Sequence, residues 1–208
     1  MRAVEETGVV AIVRLDDLTS AAHVVRALVD GGISCVEFTL TNRHAIGALE
    51  AARAANPDTV LGAGTVLDAE SARAAILGGA QFIVSPTVRA ETIALCRRYS
   101  IPCMIGALTP TEILTAWELG ADYVKVFPAS AVGPRYFREV RGPLPQVKLV
   151  PTGGVTAENT AEFIRNGAVA VGVGSNIVSA DIVRASDWAS ITGRARAFVD
   201  AVAVGRRA

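Results

Sequence analysis

The sequence predicts a single (β/α)8 barrel occupying residues 1–208, and three observations carry that prediction. Short runs rich in valine and isoleucine alternate with alanine-rich amphipathic stretches along the whole chain, the pattern of a parallel sheet covered by helices. Eight such strand–helix units follow one another at roughly 20–28 residues each, which suits a compact barrel of this class. The competing open, doubly wound sheet normally carries Gly-x-Gly-x-x-Gly after its first strand. Here the first strand runs out into Arg14-Leu15-Asp16-Asp17, with no glycine. No linker, low-complexity stretch or second domain interrupts the pattern.

Taken in order, the first strand is expected over Val9–Arg14, an unbroken β-branched run, and the first helix over Ser20–Asp30, with Thr19-Ser20 to cap it and Gly31-Gly32 to stop it. Cys35–Thr39 alternates as a strand and Ala45–Ala55 follows as a helix. Val60–Ala63 and Ala69–Leu77 form the next pair, closed by Gly78-Gly79. Phe82–Ser85 leads to Glu91–Tyr99, and Pro102–Ile105 leads to Pro110–Leu119. The last of these helices has Thr109 as cap, proline at its first position and Gly120 beyond its end. Tyr123–Phe127 precedes Arg135–Val140, and Lys148–Pro151 precedes Ala157–Asn166, which Gly167 terminates. Ala168–Val173 is the eighth strand, and a final helix, Asp187–Val204, closes the chain.

Composition narrows the function classes. Twenty basic residues balance twenty acidic ones, so no net field draws nucleic acid or a membrane surface to the chain. No apolar stretch is long enough to span a bilayer, and the start of the chain has no basic segment followed by a long apolar one. Cys35, Cys96 and Cys103 are odd in number and widely spaced, which predicts reduced thiols in the cytoplasm. With His23 and His44 as the only histidines, no metal-ligand cluster is expected. These are the properties of a cytosolic enzyme acting on a small molecule.

The residue that points to chemistry is Lys125. It is one of only two lysines, and it lies inside Ala121-Asp122-Tyr123-Val124-Lys125-Val126-Phe127-Pro128. A lysine in a buried strand loses the hydration of its ammonium. Its pKa falls, and the neutral amine becomes available to attack a ketone. The plainer reading, an exposed edge strand, fits poorly with the flanking valines and aromatics. Chemistry in such barrels sits at the C-terminal ends of the strands. In Cys35-Val36-Glu37-Phe38-Thr39-Leu40, alternation places Cys35, Glu37 and Thr39 toward the barrel interior and the apolar residues toward the helices. A buried carboxylate needs a partner or a task. Glu37 therefore either pairs with Arg14 of the neighbouring strand or acts as a base beside Lys125.

Two turns have the composition of an anion cradle. Pro151-Thr152-Gly153-Gly154-Val155-Thr156 follows the seventh strand and Val171-Gly172-Val173-Gly174-Ser175-Asn176 the eighth, the two loops that hold phosphate in barrels of this class. Arg14 is placed to clamp a carboxylate or phosphate. Thr65, at the exit Gly62-Ala63-Gly64-Thr65, either meets a substrate carboxylate or caps the following helix. Trp117 and Trp188 read as packing residues on helices. Lys148 lies at the wrong end of the barrel for catalysis, and Arg97-Arg98 and Arg206-Arg207 read as solvated.

In this order the motifs resemble the bacterial 2-keto-3-deoxy-6-phosphogluconate / 4-hydroxy-2-oxoglutarate aldolase family, class I lyases on a (β/α)8 barrel. The resemblance covers nearly the whole length. It rests on Val10-Ala11-Ile12-Val13-Arg14, Val36-Glu37-Phe38-Thr39, Gly62-Ala63-Gly64-Thr65-Val66, Ser85-Pro86 and Thr109-Pro110-Thr111-Glu112. It continues in Val124-Lys125-Val126-Phe127-Pro128-Ala129, Pro151-Thr152-Gly153-Gly154-Val155 and Val171-Gly172-Val173-Gly174-Ser175. It implies that Lys125 is the Schiff-base lysine and Glu37 the general acid/base, that Thr65 and Thr152 line the pyruvate end, and that Arg14 faces the substrate. It implies that Gly153, Gly154, Gly174 and Ser175 hold a distal phosphate, that no metal or organic cofactor is needed, and that the chain is a homotrimer. Two positions depart from the pattern. Thr41 stands four residues after Glu37, where some members carry arginine against the pyruvate carboxylate, and Ile105-Gly106 replaces Pro-Gly at the end of the fifth strand.

The expected reaction is cleavage of a 2-keto-3-deoxy-6-phospho sugar acid to pyruvate and glyceraldehyde 3-phosphate, or of 4-hydroxy-2-oxoglutarate to pyruvate and glyoxylate. Two other readings stay open on the residues alone: a phosphate-binding barrel enzyme of the epimerase, decarboxylase or synthase type, and a non-catalytic sugar-phosphate-binding barrel.

Overall fold

A computed structural model describes residues 2–207. Eight parallel strands form one sheet: β1 (Val9–Val13), β2 (Cys35–Thr39), β3 (Val60–Gly64), β4 (Ile83–Ser85), β5 (Cys103–Ala107), β6 (Tyr123–Val126), β7 (Leu149–Pro151) and β8 (Val171–Val173). They lie in sequence order, with β8 beside β1. Between β7 and β8 the ladder shrinks to a single bridge, Thr152–Gly172, and the bond from Val169 N–H to the Leu149 carbonyl at 3.0 Å. The sheet therefore closes into the expected (β/α)8 barrel, with one paired position at the β7–β8 seam as at the β3–β4 seam.

The eight helices α2 (Ala21–Asp30), α3 (Ala45–Ala55), α4 (Ala69–Leu77), α5 (Ala90–Arg98), α6 (Pro110–Glu118), α7 (Gly133–Arg141), α8 (Ala157–Arg165) and α10 (Trp188–Arg206) match the predicted ones to within a residue or two. The expectation missed three short elements: α1 (Arg2–Thr7), a 3-10 turn at Ala129–Ala131, and α9 (Ala180–Arg184). None is long enough to show a helical period. The cap at Thr109 is realised in full, with Thr109 Oγ1 accepting from Glu112 N–H and Glu112 accepting from Thr109 N–H. Ser20 occupies the cap position of α2, but its hydroxyl caps nothing. Thr65 does not cap α4. Asp68 does, accepting from Ser71 N–H.

Strand alternation sorts the side chains into two cores. Outward positions such as Ala11, Val13, Val36, Phe38, Ile83, Ile105 and Val124 pack with the helices. The inward set Val10, Cys35, Phe82, Val84, Met104, Tyr123, Val150 and Ala170 fills the lower barrel together with Val4 of α1. This is an apolar floor. Above it the interior turns polar, with Glu37, Thr39, Lys125 and Thr152 all buried.

Helix α1 is held under the floor by charge. Glu5 Oε1 accepts from Lys148 Nζ at 2.6 Å and from the Tyr123 hydroxyl at 2.7 Å. Arg206 donates to the carbonyls of Glu5 and Glu6. Arg206 is exposed, as expected, and its guanidinium also clamps α1. Arg97 likewise reaches the Leu119 carbonyl at 3.5 Å, as Arg53 reaches Gly79 at 2.6 Å and Arg196 reaches Asp30 at 3.2 Å. Each of these three arginines places a cation on the unpaired carbonyls that end a neighbouring helix. Trp188 stacks on His23, with ring centroids 5.6 Å apart, whereas Trp117 is 41% exposed and packs less than expected. The three cysteines are buried free thiols.

Candidate active site

Lys125 stands on β6 in register with Gly106 of β5 and Val150 of β7. Tyr123, two residues earlier, points into the floor, so alternation carries the Lys125 side chain into the polar layer above it. The residue is only 4% exposed. Burial pulls its ammonium below the usual lysine range. The Glu37 charge opposes that shift and the Arg14 charge assists it. The Phe127 ring, centred 5.3 Å from Nζ, stands above the amine at the barrel mouth.

Glu37 lies on β2, between Ile12 of β1 and Gly62 of β3. It is 1% exposed, and its Oε1 has no hydrogen-bond partner among the described residues. Burial raises its carboxyl above the ordinary carboxylate range, against the pull of Lys125 and Arg14. The expected alternative, an ion pair with Arg14, is not formed. The four ion pairs among the described residues are Arg26–Asp30, Arg135–Glu139, Lys148–Glu5 and Arg184–Asp181, and Arg14 is exposed at the rim. Loss of hydration thus dominates for both buried groups. It drives acid and amine together toward their neutral forms, the state in which lysine is a nucleophile and glutamic acid can give a proton; once it has given that proton, its carboxylate can take one back.

Glycine makes room for the carboxylate. A Cβ built on Gly64 would lie 2.5 Å from Glu37 Oε1 and 2.7 Å from its Cδ. Gly64→Ala is therefore expected to push the carboxylate from its seat. Turnover should fall by about 10²-fold or more, the lower end of a general acid–base contribution. Wild-type turnover in this variant would show that the seat does not matter.

A cavity of about 240 Å³ opens beside Lys125 on the β7–β8 side, and Arg14, Phe127, Thr152, Gly153, Gly154, Gly174 and Ser175 are among its lining residues. The sequence-predicted phosphate residues thus share one space with the amine. Gly153 and Gly154 have φ of 87° and 76°, conformations that suit glycine, and a Cβ on Gly154 would strike Ser130 at 2.6 Å. Among the described residues, the backbone N–H groups of Gly154, Ser175 and Asn176 have no protein acceptor. Several free N–H groups around one cavity, with the N-terminus of α8 behind them, suit an anion.

Glu37 and Thr65 lie outside the lining of this cavity, on the β2–β3 side of the barrel. Thr65 is in the left-handed region at φ 58°, a strained setting for a threonine at the end of a strand. Ile105 faces the helix layer, so its replacement of proline does not touch the interior; Gly106 does, and a Cβ there would overlap the Pro86 backbone at 2.1 Å. Thr41 sits at the rim, its hydroxyl 3.0 Å from that of Thr39. Phe127 and Asn176 were not anticipated as site residues. Phe127 was legible by alternation, two residues past Lys125. Asn176 gave no signal beyond its place after Gly174-Ser175.

The family model for KDPG and KHG aldolase matches residues 2–194. The chain belongs to this aldolase family. A 2-dehydro-3-deoxy-phosphogluconate aldolase of Treponema pallidum is 36% identical over 97% of each chain. Among solved structures, a native KDPGal structure superposes with a TM-score of 0.90 at 33% identity over 96% of each chain. A KDPG aldolase of Legionella pneumophila, with pyruvate captured as a covalent carbinolamine, superposes with a TM-score of 0.88 at 31% identity, covering 94% of this chain and 96% of the other. Among the described residues of this aldolase, no cluster of three histidine, cysteine or acidic side chains could hold a metal ion, and no helix is long and apolar enough to cross a membrane.

Proposed function

We propose that the protein is a class I aldolase that cleaves 2-keto-3-deoxy-6-phosphogluconate, its galactonate epimer or 4-hydroxy-2-oxoglutarate, with Lys125 as the covalent nucleophile. The observation that carries the reading is the buried Lys125 amine opening onto the cavity that the two glycine loops line. The covalent carbinolamine of the Legionella pneumophila relative supports the same chemistry here. The Lys125 amine adds to the C2 ketone, and the carbinolamine loses water to give an iminium. The C3–C4 bond then breaks, and its electron pair moves into the iminium as an enamine. The C4 hydroxyl gives its proton to Glu37 and becomes the aldehyde. Glu37 returns a proton to C3, making the methyl group, and water releases pyruvate from the lysine. Thr65 and Thr152 hold the pyruvate end and Arg14 faces the substrate. The N–H groups around Gly153, Gly154, Gly174 and Ser175 take the distal phosphate.

The test is mass spectrometry after incubation with pyruvate and borohydride. One reduced pyruvyl group on the peptide containing Lys125 is the expected result. An unlabelled, folded protein would overturn the scheme. The resemblance also supports a cytoplasmic homotrimer. Light scattering should then return three times the chain mass of 21.6 kDa, and the mass of a single chain would overturn the trimer.

A further inference from the structure

The phosphate end of the cavity is built from two loops that the barrel itself joins weakly. Below them, β7 and β8 share one bridge, Thr152–Gly172, where the β2–β3 seam has five paired positions. Above that bridge lie the loops 152–156 and 174–178. Among the described residues, one side-chain hydrogen bond crosses between them: Asn176 Nδ2 donates to the Val155 carbonyl at 2.7 Å. The β7 loop is also braced from α8, where Asn159 donates to the Gly154 carbonyl at 3.0 Å and accepts from Thr156 N–H at 2.8 Å. The two asparagines thus occupy two successive carbonyls that would repel an anion. The N–H group of Gly154 on one loop, and those of Ser175 and Asn176 on the other, are left without protein acceptors around the same cavity.

We propose that Asn176 is a positioning residue for the phosphate monoester of the substrate. It acts as a latch across the β7–β8 seam that sets the spacing of the N–H donors on the two loops. Its side-chain Nδ2 donates to Val155, so the side chain acts on the phosphate through the loops. The proposal deepens the aldolase reading and rests on it. Asn176 is exposed at the mouth and Val155 is buried, so losing the latch leaves the barrel core intact while freeing the β8 loop.

The experiment compares wild type, Asn176→Ala and Asn176→Asp with three ligands: the 6-phosphorylated sugar acid, inorganic phosphate as a competitive inhibitor, and pyruvate, which carries no phosphate. A net hydrogen bond of ordinary strength corresponds to a change of up to about tenfold in an equilibrium constant. For Asn176→Ala, KM for the phosphorylated substrate and the inhibition constant of phosphate should both rise by about that factor. The kcat and the pyruvate concentration for half-maximal borohydride capture should stay within about twofold. Asn176→Asp should be worse on the same two constants, since a carboxylate cannot donate to the carbonyl and adds negative charge beside the phosphate. Equal losses toward phosphate and pyruvate would make Asn176 a general support of the barrel and overturn the proposal, as would no change in any constant. Wild type that neither cleaves the sugar acid nor captures pyruvate would instead fail the aldolase reading itself.

Discussion

Lys125→Met is expected to abolish aldol cleavage and pyruvate capture together, while the barrel becomes at least as stable as wild type. The methionine keeps the apolar stem that fills the interior and removes the group that lacks hydration. The sign follows from the lowered pKa. Between the folded value and the unfolded value near 10.4, the unfolded chain holds more protons than the folded one. Wild-type stability should therefore rise with pH across that window, and at neutral pH the lysine lowers stability in proportion to its shift. Thermal melting of both proteins from pH 6 to 10 checks this. A variant that retains cleavage would remove Lys125 from the mechanism. One that melts well below wild type, with a lost pH slope, would show that the lysine is a structural element of the barrel interior.

Glu37→Gln separates bond making from proton transfer. Covalent capture of pyruvate should persist, and turnover should fall by roughly 10²–10⁴. The pH dependence of capture adds a second readout. In wild type the capture rate should rise with pH through the Lys125 pKa, at a midpoint below about 10.4. The Glu37 carboxylate supports the ammonium, so the glutamine variant should move that midpoint further down. Wild-type turnover in the variant would reduce Glu37 to a packing residue. An upward move of the midpoint would contradict the electrostatic account of the pair.

The barrel was legible because its determinants are local. Period-two alternation in Cys35–Thr39 and Tyr123–Val126 decides which side chains face inward, and a cap such as Thr109-Pro110 works through residues three apart. The same alternation identified Lys125 and Glu37, since an ionisable side chain on the inward face of a strand stands out against its neighbours. Helix α1 was not legible. Its six residues are held by Arg206, Lys148 and Tyr123, which lie far along the chain. Arg97 and Arg206 are exposed, as read, but the hydrogen bonds they make were not legible for the same reason, because the carbonyls they serve belong to other helices.

What the sequence determined on its own was the fold class, the two buried ionisable residues and the two glycine turns, all written in spacings of a few residues. Only the tertiary structure decided how these parts meet. Arg14 sits at the rim and leaves the Glu37 carboxylate unpaired; Gly64 clears the seat for that carboxylate; Asn176 ties the two loops above the β7–β8 seam. Each of these is a relation between different strands or loops, and a distance across a barrel is set by the closure of all eight strands at once.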